Sequence, residues 1–141
     1  MDLSPVVARL KAQLTGLKAI GASADLDAAI DGVVAMPAAF VLPLAEQGTD
    51  MGLLSSTAES IVQAFSVIHV LNNRRDALGG AALDDLKTLR ANLRVALVGW
   101  VPDASSGEAV TFTSGRLLRM DGDGRLWWAD EFQVTTYYWS A

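Results

Sequence analysis

The chain has no cysteine and only one histidine, His69, among its 141 residues. Without cysteine there is no disulfide bond, no thiolate nucleophile and no zinc site of the usual cysteine-containing kinds. His69 is therefore the one histidine that could act as a general acid or base. We therefore expect a fold that rests on packing, with no metal and no cofactor.

Basic residues are also scarce, since 11 Lys and Arg stand against 16 Asp and Glu and give a formal net charge of −5. A surface of this sign repels phosphate backbones, whereas nucleic-acid-binding proteins usually carry a basic patch. Specific binding to DNA or RNA is therefore disfavoured.

Long apolar runs are missing as well. The most apolar stretch, Val33–Ala45, is shorter than a membrane span and is interrupted by Pro37 and Pro43. The residues that follow Met1 lack the basic region and the apolar stretch of a signal peptide. We expect a soluble protein of the cytoplasm that does not contact a membrane.

What the sequence does have is apolar material, with 51% hydrophobic against 19% charged residues. A chain of this length forms about one domain, which we place over residues 1–141. Its apolar content slightly exceeds what one core absorbs. The excess is either buried between subunits or scattered over the surface.

The apolar periodicity predicts an α+β (mixed α/β) fold with helices packed on a mainly antiparallel sheet. Along the chain the elements follow the order α-β-α-β-β-α-β-β. The predicted elements are a helix at Ser4–Leu14 capped by Ser4, a strand at Leu17–Gly21, a helix from Ser23 to Gly32, strands at Ala38–Leu42 and Thr57–Asn72, a leucine-striped helix (Leu83 to Leu97) ending at Gly99, and strands at Val110–Met120 and Leu126–Trp139.

Two segments are candidate contact surfaces. Glu46–Ser56 is predicted to be a long loop with an apolar tip formed by Met51, Leu53 and Leu54. The last strand is rich in aromatic residues, and alternation places one set of them in the core. The other set is a candidate interface because aromatic residues dominate binding hot spots, and it comprises Trp127, Tyr137 and Trp139.

Residues that support catalysis are few. His69 lies in the long apolar strand and is more typical of a core or interface residue than of a base, because no orienting partner is evident. The Asp121–Gly124 segment is typical of a hairpin turn and lacks the final Glu of a calcium loop. Asp130 and Glu131 are adjacent on a strand and point to opposite faces. We assign no catalytic residue.

Several stretches from Pro37 onward occur in a characteristic order: Pro37–Glu46, Phe65–Val67, Asn73–Asp76 before a helix, Leu97–Pro102, Gly115–Leu117 and Leu126–Phe132. In this order the chain resembles the tail terminator proteins of long-tailed bacteriophages. The resemblance implies a small structural virion subunit without catalytic residues or a cofactor. It further implies a homo-oligomeric, hexameric ring at the head-proximal end of the tail.

Such a ring stops polymerisation of the major tail tube protein and offers a docking face to the head-completion (neck) protein. DNA passes through its lumen without specific binding, which suits the acidic composition. Two alternatives remain open: a neck ring that binds the portal, and a small cytosolic enzyme that uses His69 or the loop residues Glu46 and Asp50.

Overall fold

The computed structural model describes residues 2–30, 35–52, 57–72, 80–120 and 124–140. The eight elements follow each other along the chain in the predicted order. They are α1 (Ser4–Gln13), β1 (Ala19–Gly21), α2 (Ser23–Ile30), β2 (Ala38–Asp50), β3 (Thr57–Asn72), α3 (Gly80–Leu97), β4 (Thr111–Met120) and β5 (Arg125–Ser140). The predictions for Gly32, for Asn73–Asp76 and for most of the Asp121–Gly124 turn lie outside the described residues.

The five strands form one sheet in the spatial order β1-β2-β3-β5-β4. Only β1 and β2 are parallel, so the prediction of a mainly antiparallel sheet in an α+β fold is confirmed. The central strand β3 has the predicted bounds and pairs with β5 along its whole length, from Thr57 opposite Ser140 to Asn72 opposite Arg125. Strand β5 therefore separates β3 from β4.

One face of the sheet is covered by α1 and α3. Apolar residues at helical spacing on both helices pack against alternate residues of the inner strands. The rings of Phe65 and Phe132 stack at the centre with their centroids 5.6 Å apart. This cluster comprises Val6, Leu10, Ala39, Val41, Phe65, Val67, Leu93, Ala96, Leu97, Val110, Phe132 and Val134.

The opposite face is covered by α2, but only where β2 begins and β5 begins. Trp127 is 4% exposed there and packs in a cluster with Ala29, Phe40 and Val70. The prediction that its side chain lies on the exposed surface is therefore wrong. Alternation assigned the correct face to Trp127, but at this end both faces of the sheet are buried, because a helix covers each of them.

The predicted Glu46–Ser56 loop is also wrong over its first half. Strand β2 continues to Asp50 and pairs with β3 down to Glu59, despite a bulge between Pro43 and Ala45. Every residue from Pro43 to Asp50 is exposed. A strand with both faces in solvent carries the polar composition of a loop, and this explains the error.

Two details of the helices differ from the prediction. The carboxylate of Asp2 accepts a hydrogen bond from the Ser4 backbone N–H, and the Ser4 side chain does not cap α1. Asp25 in turn accepts the N–H of Ala22 at the start of α2. Leu83 was predicted on the apolar side of α3 but is 52% exposed; it lies in the first turn of the helix.

Candidate assembly surfaces

The sheet extends beyond its helices at one end, which we call the distal end: residues 46–52 with β2, 57–62 of β3 and 135–139 of β5. Three large side chains are exposed here, Met51 (43%), Tyr138 (47%) and Trp139 (62%). The backbone N–H of Met51 donates to the carbonyl of Ala58, and Trp139 lies opposite Ala58 on the other side of β3. Met51 and Trp139 therefore flank Ala58, one on each side of β3.

Tyr137 is fixed against the distal end by a loop that follows α3. Its backbone N–H donates to the carbonyl of Ser106 and its hydroxyl donates to Oε1 of Glu108 at 2.7 Å. The bond to Glu108 raises the pKa of Tyr137 above its ordinary value. The Tyr137 ring stacks on Trp139 with centroids 6.0 Å apart. The two aromatic side chains thus form one ordered surface.

Of the six predicted interface residues, the structure brings three together at the distal end: Met51, Tyr137 and Trp139. Leu53 and Leu54 lie outside the described residues. Trp127 lies at the opposite end of β5, 12 residues from Trp139, a separation of about 40 Å along an extended strand. Tyr138 belongs to the distal surface and was missed, because alternation placed it on the core face at a point that no helix covers.

A second apolar surface, which we call the β4 edge, surrounds the second half of β4. It was not predicted. Strand β4 is an outer strand of the sheet, and a bulge between Leu117 and Arg119 interrupts its pairing with β5. The exposed apolar residues of the β4 edge are Ile30, Leu117, Leu118 and Met120. The two consecutive leucines, which break the alternation of a half-buried strand, were its sequence signal.

Between these two surfaces a polar cluster is buried under α3. Asp130 is 2% exposed and accepts hydrogen bonds from Nε2 of His69 (3.1 Å), Nε of Arg90 (3.0 Å) and Nε1 of Trp128 (3.1 Å). The Arg90 guanidinium also lies over the Trp128 ring, 4.6 Å from its centroid. Burial raises the pKa of Asp130, but the bonds from His69, Arg90 and Trp128 outweigh burial and lower it below the ordinary value.

Gly115 on β4 makes room for this cluster. A Cβ at this position would lie 2.7 Å from both Nη2 of Arg90 and Oδ1 of Asp130. His69 is 1% exposed. The partner that sequence reasoning did not find for His69 is Asp130, which is distant in sequence and adjacent across the β3–β5 ladder. The cluster links β3, β5 and α3, with His69 and Asp130 buried and Arg90 partly exposed.

In the described part of the chain no group of three His, Asp or Glu residues is placed to hold a metal ion. None of the described helices combines the length and apolar character that a membrane crossing requires.

The family of phage tail terminator proteins matches residues 1–139. The chain belongs to this family. A tail terminator protein is a structural component of a phage virion, which confirms the resemblance carried by the ordered motifs. Two of those motifs supply Gly115, Trp128 and Asp130 to the buried cluster.

This tail terminator protein is also similar in fold to a chain of the virion of a native gene transfer agent particle. The TM-score is 0.58 at 15% sequence identity, over 94% of this chain and 92% of that chain. No curated protein matches. The likeness supports the same α+β architecture over nearly the whole length.

Proposed function

We propose that this protein caps the head-proximal end of the tail tube as a hexameric ring. The ring ends polymerisation of the major tail tube protein and forms the docking face for the head-completion (neck) protein. The observation that carries the proposal is the distal end, where Met51 just after β2 and Tyr138 and Trp139 on β5 are exposed on the two sides of β3. Membership of the tail terminator family supports it.

The distal end suits a contact with the tube for energetic reasons. Aromatic side chains carry large areas and few rotatable bonds, so they bind at low entropic cost. Burying side chains of this size stabilises a contact by about 1.5–3 kcal/mol each before ordering costs are subtracted. The stack of Tyr137 on Trp139 orders this surface before the partner arrives. Sixfold repetition multiplies a weak contact into a firm cap.

The role we propose is structural and involves no catalysis. His69 and Asp130 form the best candidate pair for acid-base work, and both are buried in the cluster under α3. The excess of acidic over basic residues suits a ring whose lumen passes DNA, because acidic walls do not bind phosphates.

The proposal is tested by tail assembly in extracts that lack the endogenous terminator. The variant Met51→Ser/Trp139→Ser is compared with Val95→Ser, which alters an 84% exposed apolar residue on α3, away from the distal end. We expect overlong tails with the double variant and tails of normal length with the control. Normal tails with both variants would contradict a contact through the distal end, and normal tails that fail to join heads would indicate a neck protein.

A further inference from the structure

The two outer strands of the sheet carry opposite charges. The segment from Pro37 to Asn72, which contains β2 and β3, has no Lys or Arg and three acidic residues, Glu46, Asp50 and Glu59. Strand β4 contains Arg116 and Arg119 and no acidic residue. Arg116 is 69% exposed. It also forms an ion pair of 3.7 Å with Glu131 on β5. Strands β2 and β3 are therefore acidic, whereas β4 is basic.

Both strands also have outer edges that the sheet does not pair. The pairing of β1 with β2 ends at Phe40, so β2 is the outer strand from Leu42 to Asp50. Strand β4 is outermost on the other side. Edge strands are sites at which another chain adds, and natural proteins restrict them with charges, bulges and proline. Pro43 and the bulges of β2 and β4 are devices of this kind.

We infer that the acidic β2–β3 hairpin of one copy docks on the basic β4 edge of the next copy. Charge selects this combination. Two β4 edges together place Arg116 and Arg119 against like charges, and two hairpins together do the same with Glu46 and Asp50. Only the hairpin and the β4 edge are complementary, and like charges in contact disfavour the other pairings.

Apolar contact supports the same combination. The β4 edge exposes Ile30, Leu117 and Leu118, and a small pocket of about 180 Å³ lies beside it, lined by Ile30, Leu118 and Trp127 among others. The hairpin exposes Leu44 and Met51. Each surface therefore combines apolar side chains with charges of one sign, as in an interface with an apolar centre and a charged rim.

The contact joins two copies and cannot form within one. In the sheet, β3 and β5 separate β2 from β4, a distance of about 14 Å at the usual strand spacing. Because the two surfaces differ, the contact is head-to-tail, and such contacts close into rings when the rotation between copies suits. This inference rests on the proposed ring and names its contacts.

The register indicates how the strands meet. Glu46 and Asp50 lie opposite Gln63 and Glu59, on the face that α1 and α3 cover further along. Arg116 and Arg119 lie opposite Ala129 and Trp127, on the α2 face. Since the charges project from opposite faces, the hairpin crosses the β4 edge at an angle. If β2 of one copy simply extended the sheet beside β4 of the next, the acidic and the basic side chains would lie on opposite faces and would not meet.

Charge reversal tests the pairing. We expect Glu46→Lys/Asp50→Lys and Arg116→Glu/Arg119→Glu each to weaken self-association at least about tenfold, because each leaves like charges in the contact. A mixture of the two variants restores assembly, since each hairpin then meets a complementary edge and a ring of six accommodates the alternation. The control Lys11→Glu/Lys18→Glu makes the same change in net charge as the arginine variant, on the exposed surface elsewhere, and leaves assembly intact.

The absence of cysteine allows a direct readout. A chain carrying both Gly48→Cys and Leu118→Cys is oxidised at high concentration and on tail tubes, because position 48 lies between Glu46 and Asp50 on the same face and has no atom within 4 Å of a Cβ. We expect a ladder of linked subunits with an upper limit of six, lost in either charge variant and regained in their mixture. Single-cysteine chains give no linked species. No ladder under either condition, a ladder insensitive to charge, or dimers from a single-cysteine chain would overturn the inference.

The tube cap and the subunit contact can be contradicted independently of each other. A charge-dependent ladder from a protein that does not limit tail length leaves the subunit contact standing and removes the tube cap. Tails of normal length without a ladder would leave the tube cap standing and remove the proposed subunit contact.

Discussion

Strand β3 passes through two regions that differ in what surrounds them. From Phe65 to Leu71 every residue is buried, because α1 and α3 cover one face and α2 the other. From Glu59 to Val62 no residue is fully buried. The same strand thus supports a core at one end and an assembly surface at the other. The comparison separates residues that determine stability from residues that determine binding.

The largest expected effect is at the covered end. Asp130→Ala leaves Arg90, His69 and Trp128 without the carboxylate that all three contact. Removing one partner from a buried ion pair costs about 3–5 kcal/mol. We therefore expect a large fall in the free energy of unfolding, measured by urea denaturation. A loss below about 1 kcal/mol would show that the cluster does not support the fold.

The next largest effect on stability is expected at Gly115, which lies against the buried cluster. Gly115→Ala places a methyl group against Asp130 and Arg90, and the guanidinium must move away. Overpacking of this kind costs about 1–3 kcal/mol. Gly48→Ala is the matched control, because nothing lies within 4 Å of a Cβ there. Equal melting temperatures for the two variants would contradict the close packing at Gly115.

The pH dependence of stability follows from Asp130. Its pKa is lower in the folded protein than in the unfolded chain. Its stabilisation is therefore fully present above the unfolded pKa, about 3.9, and is lost as the pH falls through the lower folded pKa. Thermal unfolding between about pH 5 and 2 is expected to show a steeper decline for the wild type than for Asp130→Asn. Parallel curves would show that Asp130 does not contribute.

At the distal end the effect on stability is expected to be small. Trp139 is 62% exposed and contacts Tyr137. Trp139→Ser should change the free energy of unfolding by less than about 1 kcal/mol, as surface substitutions do, while tube capping is lost. A large loss of stability would place Trp139 in the core, and the distinction between the two ends would fail.

The sequence predicted most of the fold because its patterns are local. Ile61 to Leu71 has the β-branched, doubly apolar pattern of a covered strand, and β3 has the bounds predicted from it. Alternation also assigned Trp127 and Trp139 to the same face of β5. It does not reveal where along the strand a helix ends, and this alone makes Trp127 buried and Trp139 exposed.

The same limit applies to the other assembly residues. The second half of β2 has a loop-like composition because neither of its faces is covered, and only its pairing with β3 defines it as a strand. The partner of His69 lies 61 residues away and is adjacent only because β5 inserts between β3 and β4. Local patterns do not contain the spatial order of strands. That residues 1–141 form one domain stays a prediction.

The most direct test of the division between the two ends is hydroxyl-radical footprinting of the protein, free and bound to tail tubes. We predict that oxidation of Met51, Tyr138 and Trp139 falls severalfold on the tube, while oxidation of the exposed Val95 on α3 is unchanged. Trp127, buried in both states, provides the baseline. Undiminished oxidation of the distal residues on capped tubes, with protection of Val95 instead, would contradict the account.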